Sequence, residues 1–168
     1  MDNRAYVILL LVALLWTLLV TALIGNVIAT NINGAMATIN FTMFTAALAW
    51  VVGLVGLAAA FVSTLARPIL LIPLYFLAVL FTFIDGIALA AVLRAPDCGN
   101  LAHASLPRHW IGFGSSNDAK RCRELEASTA FLWFLWATFS VVFVIAIFEA
   151  RRGIGSSALS SRPMSQIG

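Results

Sequence analysis

Charge is what this chain has least of. Only 10% of its residues are Asp, Glu, Lys or Arg and 62% are hydrophobic, where an ordinary soluble domain carries about 25% charge. A water-soluble surface is therefore excluded, and the mean hydropathy of +1.00 agrees. Catalytic signatures are missing too. There is no nucleophile elbow, no HExxH, no phosphate-cradling glycine loop and no pair of intramembrane carboxylates. An enzyme is not expected, and no cofactor motif is present. The balance is basic, with a net charge of +3. Its arginines are scattered rather than clustered, so nucleic acid is not an expected partner.

Four apolar runs fill the space that charge leaves: about 6–28, 41–65, 69–93 and 128–149. Each holds about 22–25 residues, or about 33–38 Å of helix, enough to cross a hydrocarbon core of about 30 Å. The expectation is an all-α, integral-membrane four-helix bundle over residues 1–150, followed by a disordered, basic, Ser-rich tail over 151–168. The first run is longer than a signal-peptide core and its head, Met1-Asp2-Asn3-Arg4, is barely basic, which predicts a retained span.

Small residues recur at helical spacing in the second run, at Ala49, Gly53, Gly56 and Ala60. They let backbones approach closely, within the bundle or between copies in a homo-oligomer, and intramolecular packing is the simpler reading. Arg67-Pro68 marks the turn into the third run, with the proline suited to a first helical position. Asp85 is the one acid inside a span, near mid-membrane by count, where an ionised carboxylate costs about 2.5–3.5 kcal/mol on insertion scales. It reads as a neutral acid hydrogen-bonded to Thr, Ser or Asn of another span, as a proton or cation relay, or as a site for a polar lipid group.

The only two cysteines, Cys98 and Cys122, flank a loop between the third and fourth runs. Three readings are open: a disulfide, two free or palmitoylated thiols, and a metal site with His103 and His109. The bridge is the expectation, because the spacing lacks the C-x₂₋₄-C pairing of zinc sites. Within that loop, Asn117 is a candidate helix cap, Asp118 suits a first turn, and Lys120 and Glu124 are spaced i, i+4. The fourth helix should start there and project above the membrane, with Trp133 and Trp136 forming an aromatic belt where it enters lipid. The segment Arg108-His109-Trp110-Ile111-Gly112-Phe113 reads as an interfacial anchor.

Lys and Arg divide five to five between the two membrane faces, so the positive-inside rule ties. A disulfide breaks the tie: loop outside, both termini in the cytosol. Arg151, Arg152 and Arg162 would then meet anionic inner-leaflet lipids, and the serines beside them are candidate phosphorylation sites. Arg4-Ala5-Tyr6-Val7-Ile8-Leu9 fits a loose sterol-recognition pattern that matches by chance often. Asn40-Phe41-Thr42 is formally a glycosylation acceptor, placed too near the membrane for modification to be expected.

One stretch, Phe81-Thr82-Phe83, Gly86, Leu89-Ala90, Arg94-Ala95, Cys98 and Asn100, resembles the third span and exit of the fungal non-classical export protein 2 family. Arg121-Cys122-Arg123, Ala127, Ala130-Phe131-Leu132, Trp133, Phe134, Ala137 and Phe139 extend the likeness. The family belongs to the MARVEL-domain group of four-span membrane proteins. The resemblance implies a plasma-membrane protein with cytosolic termini, gathered in eisosome-associated microdomains, responsive to sphingolipid, and influencing a cytosolic scaffold. Asp85 has no counterpart in that pattern. Three functions follow: a non-enzymatic membrane organiser, an accessory subunit of a larger membrane complex, and a small transporter or channel using Asp85.

Overall fold

A run of leucine, valine, alanine and isoleucine offers lipid nothing to hydrogen-bond, so its backbone must satisfy itself, and a helix does so within the segment. The computed structural model describes residues 3–160 apart from 33, 35, 63, 95–96, 100, 102–106 and 108–109. It is all-helical in order: α1 (Asn3–Ala29), α2 (Ala37–Phe61), α3 (Pro68–Leu93) and α4 (Asp118–Ser160). All four are long and apolar enough to span a bilayer. Each packs on its neighbours in the cyclic order α1, α2, α3, α4, an up-down-up-down bundle. Large side chains such as Leu11, Leu18, Phe44, Val51, Phe76 and Val144 point outward, which suits a lipid solvent and no aqueous one.

Hydroxyls along the helices bond back one turn. Thr17 Oγ1 donates to Ala13 O (2.8 Å), Thr82 Oγ1 to Ala78 O (2.6 Å) and Ser128 Oγ to Glu124 O (2.7 Å). This removes polar orphans that would be costly in hydrocarbon.

Helix limits depart from the hydropathy count in informative ways. α2 begins four residues before the expected Phe41 and ends four before the expected Leu65. At its far end Val62 is extended (φ −115°, ψ 105°), and the chain needs the stretch to Arg67 to cross to α3. Arg67 is extended as well, as a residue before proline prefers, and Pro68 takes the first helical turn. Hydropathy alone cannot see this connection, because Val62, Leu65 and Ala66 are apolar loop residues.

α4 starts where the capping signals placed it. Lys120 N–H donates to Asn117 Oδ1 at 3.0 Å, and Lys120 Nζ lies 3.6 Å from a Glu124 oxygen. At 43 residues it is about 64 Å long, so it projects beyond the membrane. The tail expected to be disordered from Arg151 continues α4 to Ser160 instead. Only Gly153 and Gly155 oppose helix there, at about 1 kcal/mol each, and the first proline after them is Pro163. Arg162 lies outside the described residues, as do His103 and His109.

Candidate functional site

Two apolar clusters make up the core. One, at the long-loop end, gathers Val20, Ile24, Leu89, Leu125 and Leu132; the other, toward the termini, gathers Leu10, Val52, Tyr75, Leu135 and Phe139. Thr17, Thr82 and Asp85 lie between them, and Thr42 and Thr45 stand beside Ile39 and Ala46 of the loop-end cluster; all five are fully buried or nearly so. Asp85 is completely enclosed, and its Oδ1 accepts a hydrogen bond from Thr42 Oγ1 on α2 at 2.9 Å. Its Oδ2, and the hydroxyl of Thr45 one turn along α2, have no partner among the described residues. Asp85 lies roughly two turns inside Leu93 and about one turn from the middle of α3 (Pro68–Leu93), on the side of the long loop. No second buried carboxylate accompanies it among the described residues.

This arrangement is that of an acid held by a threonine of the adjacent helix, with no second buried carboxylate among the described residues to continue a relay. Asp85→Asn is therefore expected to leave stability within about 1 kcal/mol, since the amide oxygen still accepts from Thr42. Unfolding in detergent checks this, with ion flux in proteoliposomes, expected to be unchanged, as the companion measurement.

The small residues of α2 are used inside the chain. A Cβ on Gly53 would stand 2.7 Å from Leu14 Cδ2 of α1, and one on Gly56 would collide with the Tyr75 hydroxyl of α3. Ala49 is buried beside them, and Ala60 is half-buried at the termini end. Tyr75 is itself hydrogen-bonded, hydroxyl to hydroxyl, to Tyr6 of α1, so three helices meet at Gly56. Gly56→Val should cost about 1–3 kcal/mol by overpacking, read as a lower unfolding midpoint.

At the other end, Cys98 and Cys122 are joined, with Cα atoms 5.6 Å apart. A bridged pair presents no thiolate to a metal ion. Beside it is a residue whose part the sequence did not disclose. Arg121 is only 1% exposed. Its Nε donates to Ile111 O (2.8 Å) and its Nη1 to Asn31 Oδ1 (3.0 Å) and Gly114 O (3.3 Å). The guanidinium thus ties the α1–α2 connection, the long loop and α4 into one cap. Ile32 N–H adds a backbone bond to Gly114 O at 2.8 Å, and buried Trp110 donates to Leu93 O at 3.0 Å. Trp110 is thus inside the cap rather than dipping into lipid as an anchor, because its indole N–H caps a carbonyl of α3's last turn. Asn26 Nδ2 donates to Glu124 Oε1 at 2.6 Å, joining α1 to α4.

The two tryptophans of the expected aromatic belt pack against α3. Trp133 faces Gly86 and packs edge-on to Phe83, with Trp136 against the same ring. These contacts place both rings along the α3–α4 seam. Asn40 is exposed in the first turn of α2, while Thr42 of the same motif is buried against Asp85. Arg151 and Arg152 are exposed on α4 at the termini end.

With this geometry in place, comparison with known proteins becomes specific. Residues 5–145 match the MARVEL membrane-associating domain. The chain is 30% identical over 158 residues to the non-classical export protein 2 of Saccharomyces cerevisiae, covering 92% of this chain and 88% of the relative. It is 33% identical to that yeast's homolog 1 over 143 residues, 83% of this chain and 79% of that one. A Schizosaccharomyces pombe homolog is 28% identical over 120 residues, 71% of this chain and 63% of the relative. No solved structure gives a significant match.

Proposed function

The chain belongs to the MARVEL family of membrane-associating domains, and from that premise we propose that it is a non-enzymatic organiser of the plasma membrane. In this reading it gathers in sphingolipid-responsive, eisosome-associated microdomains and stabilises cytosolic scaffold partners there. The observation that carries the reading is the extent of the match, residues 5–145, which takes in all four membrane-length helices. Nearly the whole chain is thereby committed to lipid contact, so lipids and other membrane-bound proteins are its available partners. The relatives' name speaks of export, and a conduit needs a polar path between faces. Asp85 is the one buried carboxylate among the described residues, so no series of buried acids supports such a path, which favours organisation over conduction.

The orientation that goes with this places the Cys98–Cys122 cap outside and both termini in the cytosol, since a bridge persists in an oxidising compartment. Arg151 and Arg152 then face the anionic inner leaflet, each worth about 1 kcal/mol of attraction. A fluorescent tag on the C-terminus, imaged in a fungal cell before and after sphingolipid synthesis is blocked, tests the role. Plasma-membrane patches that disperse on depletion are the expected result. Uniform or internal signal indifferent to sphingolipid would remove it and bring forward the accessory-subunit reading.

A further inference from the structure

The bundle is open at its termini end. A cleft of about 520 Å³ lies there between all four helices, lined by Tyr6, Ala60, Phe61, Pro68, Leu71 and Glu149, among others. That volume is within the range of about 300–1,000 Å³ usual for small-ligand sites. The cleft exists because α2 stops at Phe61 while α4 runs on, and because alanines (Ala59, Ala60, Ala66, Ala146, Ala150) line the gap. Glu149 and Tyr6 are the two lining residues with a polar side chain; the other lining side chains are apolar. Glu149 makes no ion pair among the described residues.

The rim has the opposite sign. Arg67 sits between the lining residues Ala66 and Pro68, Arg151 and Arg152 follow Ala150, and Arg4 is two residues before Tyr6; all four are exposed. None of them is ion-paired among the described residues either. Beside the mouth, Phe61 and Ile69 are 75% and 85% exposed, among the most exposed large apolar side chains described. An occupant that satisfies all of this has a cation for Glu149, an anion for the arginine rim and an apolar tail for Phe61 and Ile69.

We propose that this cleft binds the headgroup of a glycerophospholipid bearing a primary ammonium, taken from the leaflet that faces the termini. The ammonium sits between the Glu149 carboxylate and the Tyr6 hydroxyl, and the phosphate meets the rim arginines. A primary ammonium has three N–H donors for those oxygens. A quaternary choline has none, and an anionic head without an amine leaves Glu149 unpaired. The pair of bonds is charge-assisted, the stronger class of hydrogen bond. Tyr6 is aimed by its own bond to buried Tyr75, so the site is partly preorganised.

The test uses the full chain purified in mild detergent and incubated with chain-matched phosphatidylethanolamine, phosphatidylcholine or phosphatidylglycerol. Retained lipid is counted by native mass spectrometry. Phosphatidylethanolamine should be retained about tenfold better than either of the others, and Glu149→Gln should remove that preference, each a difference of one charge-assisted hydrogen bond. Glu149 is exposed and unpaired, so the lipid-free unfolding midpoint of the variant should match the parent and separates loss of site from loss of fold. Equal retention of the three lipids, preference for phosphatidylglycerol, or an unaltered preference in Glu149→Gln would overturn the proposal. Free phosphoethanolamine binding as tightly as the lipid would overturn the membrane source of the ligand.

Discussion

Replacing both Cys98 and Cys122 by serine is expected to lower stability by about 3.5 kcal/mol, the chain-entropy value for a loop of this length. The two are 24 residues apart in sequence, and the bridge restricts all of that segment in the unfolded chain. It also holds the exit of α3 against the first turns of α4, so its loss should loosen the cap before the spans. The measurement is denaturant unfolding in detergent, with the parent protein run with and without reductant. Reduced parent and double serine variant should coincide. If reductant leaves the parent unchanged while the serine variant falls, the thiols are free and the cap is held by packing alone.

Arg121→Met should cost about 3 kcal/mol, from losing several hydrogen bonds to a charged donor and leaving buried acceptors unpaired. Ile111 O, Asn31 Oδ1 and Gly114 O all face the guanidinium at 2.8–3.3 Å. Arg121→Lys should recover little, because a single ammonium cannot reproduce the planar fork that reaches two segments at once. Exposed Arg123 two residues on is the control, and its change to alanine should stay within about 0.5 kcal/mol. Cys122 adjoins Arg121 and serves the same cap, so the Arg121 and serine changes together should cost less than their sum. Hydrogen exchange at Ile32 and Phe113 gives a local readout, since cap opening would accelerate both.

How much of this was legible in the sequence follows from what kind of signal each feature leaves. Membrane spans are written in composition, because twenty apolar residues in a row have few other uses. The start of α4 was legible because Asn117, Asp118, Lys120 and Glu124 are local signals, each acting within one turn. The hydrogen-bond partner of Asp85 was readable as a type, a hydroxyl of another span, though not as Thr42 in particular. Contacts between distant residues were not readable at all. Tyr6 meets Tyr75 and Asn26 meets Glu124 only after the bundle closes. Arg121 stands in a charged stretch that reads as solvated, and its burial depends on loop backbone that no pattern announces. The termini-end cleft likewise needs the end of α2 to be known within a turn, and Val62 to Ala66 conceals that end. Glu149 closes the fourth apolar run, and nothing in the sequence marks it as the one acid of a lined cleft.

Which face of the membrane carries the cap fixes the orientation of the whole molecule. In intact cells expressing the full chain, a membrane-impermeant maleimide applied with and without an impermeant reductant decides it. Labelling of Cys98 and Cys122 only after reduction, with a C-terminal tag unreachable until permeabilisation, is the predicted result. Labelling that requires permeabilisation whether or not reductant is present, with the C-terminal tag reachable from outside, would contradict it and turn the molecule over.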